Sequence, residues 1–276
     1  MFLDAVILFL QEILEASLLI SVLLALTGQF HRITGREFRM SPYWVAYALV
    51  FGGIGAWAYA TAMPTISEWF GFVGQEVVNS ALHLLSLLLL VVLATVVPSS
   101  LFIGEQDIRN RVAVLSMVVI VLLALVREGS EILLYLNGVL SQAENTMPVL
   151  SGGVIGTGIG ISTGVFLYYS LISLNQRWFI RVCVLLLALL AGNMASQIVM
   201  LLSQADWLPY TAEAWNTSGL IPEASLSGRL LYALIGYEAT PSVLQVAAYA
   251  LAALSILSGP LFRRAWFQAE SSQGNI

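Results

Sequence analysis

The chain has no lysine at all; its eleven basic residues are all arginine. Charged residues make up only 10% of it, where a soluble domain carries roughly 25%. Together with 59% hydrophobic residues and a mean hydropathy of +0.88, this scarcity excludes an ordinary water-soluble domain and points to a polytopic membrane protein. A single cysteine, Cys183 in an apolar run, excludes internal disulfides and thiolate metal clusters. Histidine is almost as scarce. His31 belongs to a basic segment, and His83 is alone in its apolar run, where a core histidine with satisfied hydrogen bonds is commoner than a ligand. No E-x-x-H occurs, which argues against the membrane carboxylate-iron enzymes. No nucleic-acid partner is expected.

What is present is a series of apolar stretches of membrane-crossing length. Seven are predicted as helices, near 3–27, 43–63, 78–98, 112–136, 149–172, 179–203 and 242–262. The first lacks a basic leading region and carries acids, so it reads as a retained span rather than a cleaved signal. Arg32, Arg36, Arg39, Arg109, Arg111, Arg177, Arg181, Arg263 and Arg264 fall in alternate connections or the tail. The opposite connections hold Arg229 and the acids Glu68, Glu76, Glu144, Asp206, Glu213, Glu223 and Glu238. The excess of positive charge on one side predicts the N-terminus outside and the C-terminus in the cytoplasm. One permease-like domain is expected over 1–265, with a cytoplasmic tail at 266–276.

The spans contain acids where acids are expensive. QEILE (Gln11–Glu15) lies in span one and REGSE (Arg127–Glu131) in span four. Each holds E-x-x-E, so Glu12 and Glu15, like Glu128 and Glu131, project from one helix face. An acid at mid-span costs about 2.5–3.5 kcal/mol, so four facing lipid unpaired would cost on the order of 10 kcal/mol. They are expected to face the interior, paired, protonated or bound to a cation. Glu12 lies roughly 14 Å into span one and Glu128 roughly 12 Å from the outer end of span four, at helical rise. Three spans separate the motifs, so the copy is inverted. Repeat halves of about 1–98 and 112–203, with an added last helix at about 242–262, match the inverted three-plus-three pattern of transporters. Carboxylates favour hard cations: Fe(III), Mn(II), Ca(II) or Mg(II). Arg127, one turn before Glu131, can also neutralise part of the site.

With these motifs the chain resembles the iron permease family, which includes fungal high-affinity permeases and bacterial EfeU-like ferric iron transporters. REGSE fits that family's R-E-G-x-E motif, LQEILEASLLI at 10–20 is similar to its first-span version, and GYEATPS at 236–242 resembles the segment before its last helix. The resemblance implies seven helices, ferric iron uptake, no bound cofactor beyond the transported ion, and Glu12, Glu15, Glu128 and Glu131 as its ligands. Gln11, Arg127 and Gly129 would be supporting motif positions. It also implies a bacterial inner-membrane setting and a periplasmic or extracellular iron-handling or oxidase partner. Two positions depart from the motif: Gln11 stands for arginine and Ile13 for glycine. Asn79 stands where bacterial members carry an acid. Import of another hard or borderline cation such as Mn(II), or proton-coupled carriage of an organic cation, stays open.

Further candidates are weaker. Glu76 and Asn79 are possible outer capture residues, and Glu238 a possible pathway residue. Asn193, Ser196 and Gln197 share a face of span six, and Ser17 and Ser21 one of span one. Each of these could line a path or form interhelical hydrogen bonds. Gly152, Gly156, Gly160 and Gly164 recur at i+4 in span five, a face suited to close helix contact. The long segment 204–241 contains LSGRLLYALIGY, too short to span; it is expected to re-enter or lie in the membrane interface.

Overall fold

The computed structural model describes residues 1–34, 43–96, 106–140 and 146–259. Among them the regular structure is helical: α1 (Phe2–Thr34), α2 (Tyr43–Ser67), α3 (Trp69–Phe72), α4 (Gly74–Val96), α5 (Gln106–Leu140), α6 (Thr146–Ser173), α7 (Gln176–Gln204), α8 (Leu226–Ile235) and α9 (Val243–Leu257). Six of these, α1, α2, α4, α5, α6 and α7, are long and apolar enough to cross a membrane. They expose large apolar side chains outward, as Tyr47, Phe51, Ile54 and Trp57 on α2 and Val154 and Phe166 on α6 do. A surface of that kind is stable only against lipid, and the chain is a multi-pass membrane protein.

Of the seventh expected span, 242–262, the described residues up to Gly259 include a helix of 15 residues, and the rest lies outside them. Its start is fixed by Ser242 and Gln245, which form a reciprocal capping box. It stops at Leu257 because Gly259-Pro260 follows: proline disfavours helical geometry in the residue before it. The basic residues Arg36, Arg39, Arg263 and Arg264 lie outside the described residues.

Two close pairings organise the bundle. The α6 glycines lie against α1 in register: a Cβ on Gly152 would meet Ala5, on Gly156 Val6 and Leu10, on Gly160 Ile13, and on Gly164 Ser17. Both sequence positions rise together, so α1 and α6 run parallel. The absence of side chains lets the backbones approach, and Ser17 and Ser21 then reach across with hydroxyl hydrogen bonds of 3.1 and 2.7 Å to the carbonyls of Gly160 and Gly164. A second stripe of small residues, buried at i+4 spacing on α2, does the same against α5. It comprises Ala48, Gly52, Ala56 and Ala60. Gly52 faces Leu125 and Ala56 faces Gly129, again with both numbers rising. This stripe is harder to see in the sequence than that of α6, because it contains only one glycine.

Helices α4 and α7 close the bundle, with a core that includes Leu19, Leu23, Leu90, Ile120, Phe179 and Leu187. The segment between α7 and α9 is folded. An isolated bridge joins Glu213 to Ser242, and the Ala214 and Thr217 amides donate to the Pro241 and Ala239 carbonyls at 2.8 Å. Ser225 caps the start of α8, and Gly236, at φ +69°, supplies the left-handed turn that ends it. This helix docks beside the middle of α1, where Ala233 is buried with Leu10, Leu14 and Leu18.

Candidate metal centre

Helices α1 and α5 meet at the two acidic motifs. Carboxylate oxygens of Glu12, Glu128 and Glu131 lie within 4.8 Å of one another. Glu12 and Glu128 are buried, whereas the Glu131 side chain is 39% exposed and forms the open edge of the group. Glu15 stands apart from this trio, one turn farther along α1, where the Arg127 guanidinium donates to it at 3.0 Å. The same guanidinium donates to Glu128 through two nitrogens, Nε at 3.1 Å and a closer terminal NH2 group. Its contact with Glu131 is looser, at 3.9 Å. One arginine is thus shared among three carboxylates, and Glu128 Oε2 is left buried without a partner. An unpartnered carboxylate oxygen beside two further carboxylates is a lone-pair donor set open to a cation.

The motif's remaining positions support this geometry. Ser130 is buried and turns its hydroxyl back onto the Arg127 carbonyl at 2.7 Å. Gly129 and Ile13, the third residues of the two motifs, both face away from the acids. A Cβ on Gly129 would press on Ala56, and Ile13 fills the space that Gly160 leaves. The bulky residue in the first motif is therefore accommodated by a glycine opposite it. Ile13→Gly is expected to lower stability by about 2–4 kcal/mol through the cavity it opens, while leaving metal affinity within about twofold. Thermal unfolding and equilibrium metal titration of the purified variant check the two halves separately.

The other candidates are distributed around this centre. Ser17 and Ser21 bond across to α6 as described above. Asn79 is buried and accepts a hydrogen bond from the Tyr59 hydroxyl at 2.7 Å, tying α4 to α2. Glu76 stands in the first turn of α4. Ser196 donates to Glu238 Oε1 at 3.2 Å, and Gln245 donates to its Oε2. Glu238 thus joins α7 to the start of α9. Burial pushes its carboxyl above the ordinary range, opposed by those two hydrogen bonds. It also lines, with Gln11, Glu223, Arg229 and Tyr232, a cavity of about 390 Å³ under α8. Gln197 is buried with Nε2 unpartnered, and Asn193 has an unpartnered Oδ1.

His83 differs most from expectation. Rather than a satisfied core histidine, it is a buried side chain whose Nε2 has no hydrogen-bond partner. Nothing in the sequence alone distinguishes these cases, since the cavity it faces is formed by four other helices.

A bundle of apolar helices that buries a carboxylate cluster and one shared arginine is the architecture of a membrane protein with an ionisable centre between its spans. Residues 2–262 match the Iron permease FTR1 family, and the chain belongs to that family, one of permeases rather than enzymes. Among curated relatives it is 28% identical over 126 residues to the Ferrous iron permease EfeU of Shigella flexneri, covering 45% of this chain and 53% of that protein. Proteins of the same name from Shigella sonnei and Escherichia coli align at 28% over 45% of each chain. The chain thus spans about half the length of the curated relatives it matches. No solved structure gives a significant match.

Proposed function

We propose that this protein is a permease that imports iron, gated by the carboxylates of α1 and α5. The observation that carries the reading is the convergence of Glu12, Glu128 and Glu131 from two helices on one point. Family membership and the iron permeases among its relatives support iron as the substrate. An ion would first meet the exposed Glu131, exchange its water for Glu12 and Glu128 oxygens, and then draw on Glu15 as Arg127 shifts between partners. All-oxygen, anionic donors suit a hard ion, which favours Fe(III) over Fe(II) at this point. Protons compete for the same oxygens and would help release the metal. No resident cofactor is required, because the ion is the cargo.

The inverted repeat is part of the proposal, and the helix pairing supports it. Exchanging the first three long helices for the last three turns the α1–α6 contact into the α5–α2 contact, and both are parallel pairs with small-residue stripes. The third motif residue meets the stripe in both. The unit is read as one domain over 1–265, with seven spans counting the segment that contains α9, and the cytoplasmic tail at 266–276. The N-terminus would lie outside a bacterial inner membrane, on the arginine distribution. An external iron-handling or oxidase protein is the expected partner.

The test is uptake of labelled Fe(III), Fe(II) and Mn(II) into proteoliposomes. Glu12→Gln/Glu15→Gln and Glu128→Gln/Glu131→Gln are each expected to cut iron uptake at least about 100-fold, equivalent to roughly 2.7 kcal/mol. Selective Mn(II) uptake would keep the gate and change the ion. Wild-type rates in both double variants would show that the acids only hold helices together.

A further inference from the structure

A small cavity of about 40 Å³ adjoins the carboxylates one helical turn farther along α1, among Leu19, Leu123 and Leu190. Its lining includes Glu15, Arg127 and Glu128 from α1 and α5, and His83, Ser86 and Asn193 from α4 and α7. Space of this size holds a water molecule or a partly dehydrated ion. Three atoms on residues of its lining are buried and without partners: His83 Nε2, Asn193 Oδ1 and Glu128 Oε2. His83 itself is only 6% exposed. Leaving one such atom unsatisfied costs about 1–3 kcal/mol, so three around one cavity form an expensive arrangement unless something bonds to them. Three different helices supply them, α4, α7 and α5, which is how a ligand-binding point inside a bundle is built.

We infer that this cavity is a second cation station, in which His83 Nε2, Asn193 Oδ1 and the Ser86 hydroxyl receive the ion from Glu128. The inference rests on the permease reading above. Its chemistry follows from the change in donors. The first site is anionic and holds a cation strongly; the second offers an imidazole, an amide and a hydroxyl, all neutral. A pathway must bind well enough to admit an ion and weakly enough to let it go, and a step from charged to neutral donors supplies that gradient. Imidazole nitrogen is an accepted ligand for first-row metals, iron among them. Arg127 in the lining does not repel the ion with a full charge, because Glu15 and Glu128 are paired with it.

The experiment uses purified full-length protein loaded with Mn(II), examined by pulsed electron paramagnetic resonance, alongside the proteoliposome assay. Wild type loaded with enough Mn(II) to fill both stations is expected to show imidazole-nitrogen coupling. His83→Gln should lose that coupling, still bind Mn(II) through the carboxylates, and transport at least tenfold more slowly. Asn193→Leu should retain the coupling and slow uptake likewise, and it serves if His83→Gln fails to fold. Absence of nitrogen coupling in the wild type, or wild-type uptake in His83→Gln, overturns the station. Failure of the carboxylate gate would be seen separately, as wild-type uptake in the two glutamate double variants.

Discussion

Arg127→Leu is expected to destabilise the folded protein by about 3–5 kcal/mol, the usual cost of removing one partner from a buried ion pair. The guanidinium is 12% exposed and bonds to Glu15 and Glu128, whose side chains are 11% and 6% exposed. Without it Glu12, Glu128 and Glu131 converge beside Glu15 with no positive charge among them. They must then take up protons or separate the helices that carry them. Arg127→Lys should recover only part of the loss, because a point charge cannot make the forked contact to both carboxylates. Glu15→Gln added to Arg127→Leu should recover more, since it removes the acid that depends on Arg127 at 3.0 Å. Thermal unfolding in detergent measures all three. An unchanged midpoint in Arg127→Leu would mean that the acids are protonated in the resting protein and need no counter-charge.

That single arginine also explains what was legible from sequence. The two E-x-x-E motifs could be recognised from the cost of their charges alone, and i+3 spacing predicted correctly that each pair shares a face. The spacing could not say how the four acids divide. Three-dimensional packing groups Glu12 with Glu128 and Glu131 and leaves Glu15 to Arg127, so the α1 pair is divided while the α5 pair stays together. Six of the seven expected spans were legible because apolar length is a local property. The seventh is helical up to Leu257 and broken near Gly259-Pro260, which an otherwise apolar stretch conceals; its last residues lie outside the described ones. His83 and Asn193 were visible as polar residues in spans, but their loss of partners depends on a cavity walled by residues far apart in the chain.

The glycine stripe allows a sharper test, because two glycines on the same helix predict opposite outcomes. At Gly156 a Cβ would lie 2.5 Å from the Val6 carbonyl oxygen and 2.9 Å from the Leu10 amide nitrogen. Both are backbone atoms of α1 and cannot rotate away, so even Gly156→Ala forces the helices apart. Overpacking of this kind costs about 1–3 kcal/mol and can exceed it, and Gly156→Leu is expected to yield no monodisperse protein. At Gly158 nothing lies within 4 Å of the same atom. Gly158→Ala should therefore be neutral or gain up to about 1 kcal/mol from helix propensity. Size-exclusion profiles and melting curves of the pair decide whether the stripe is an interface. The functional consequence follows from register: Gly152 to Gly164 set how α1 lies along α6, and hence the depth at which Glu12 meets Glu128. A Gly156→Ala protein that still folds should lose more uptake than stability, since a shift of about 1 Å can cost on the order of 10²-fold in rate where geometry is critical. Full uptake in a destabilised Gly156→Ala protein would separate the α1–α6 contact from the position of the carboxylates.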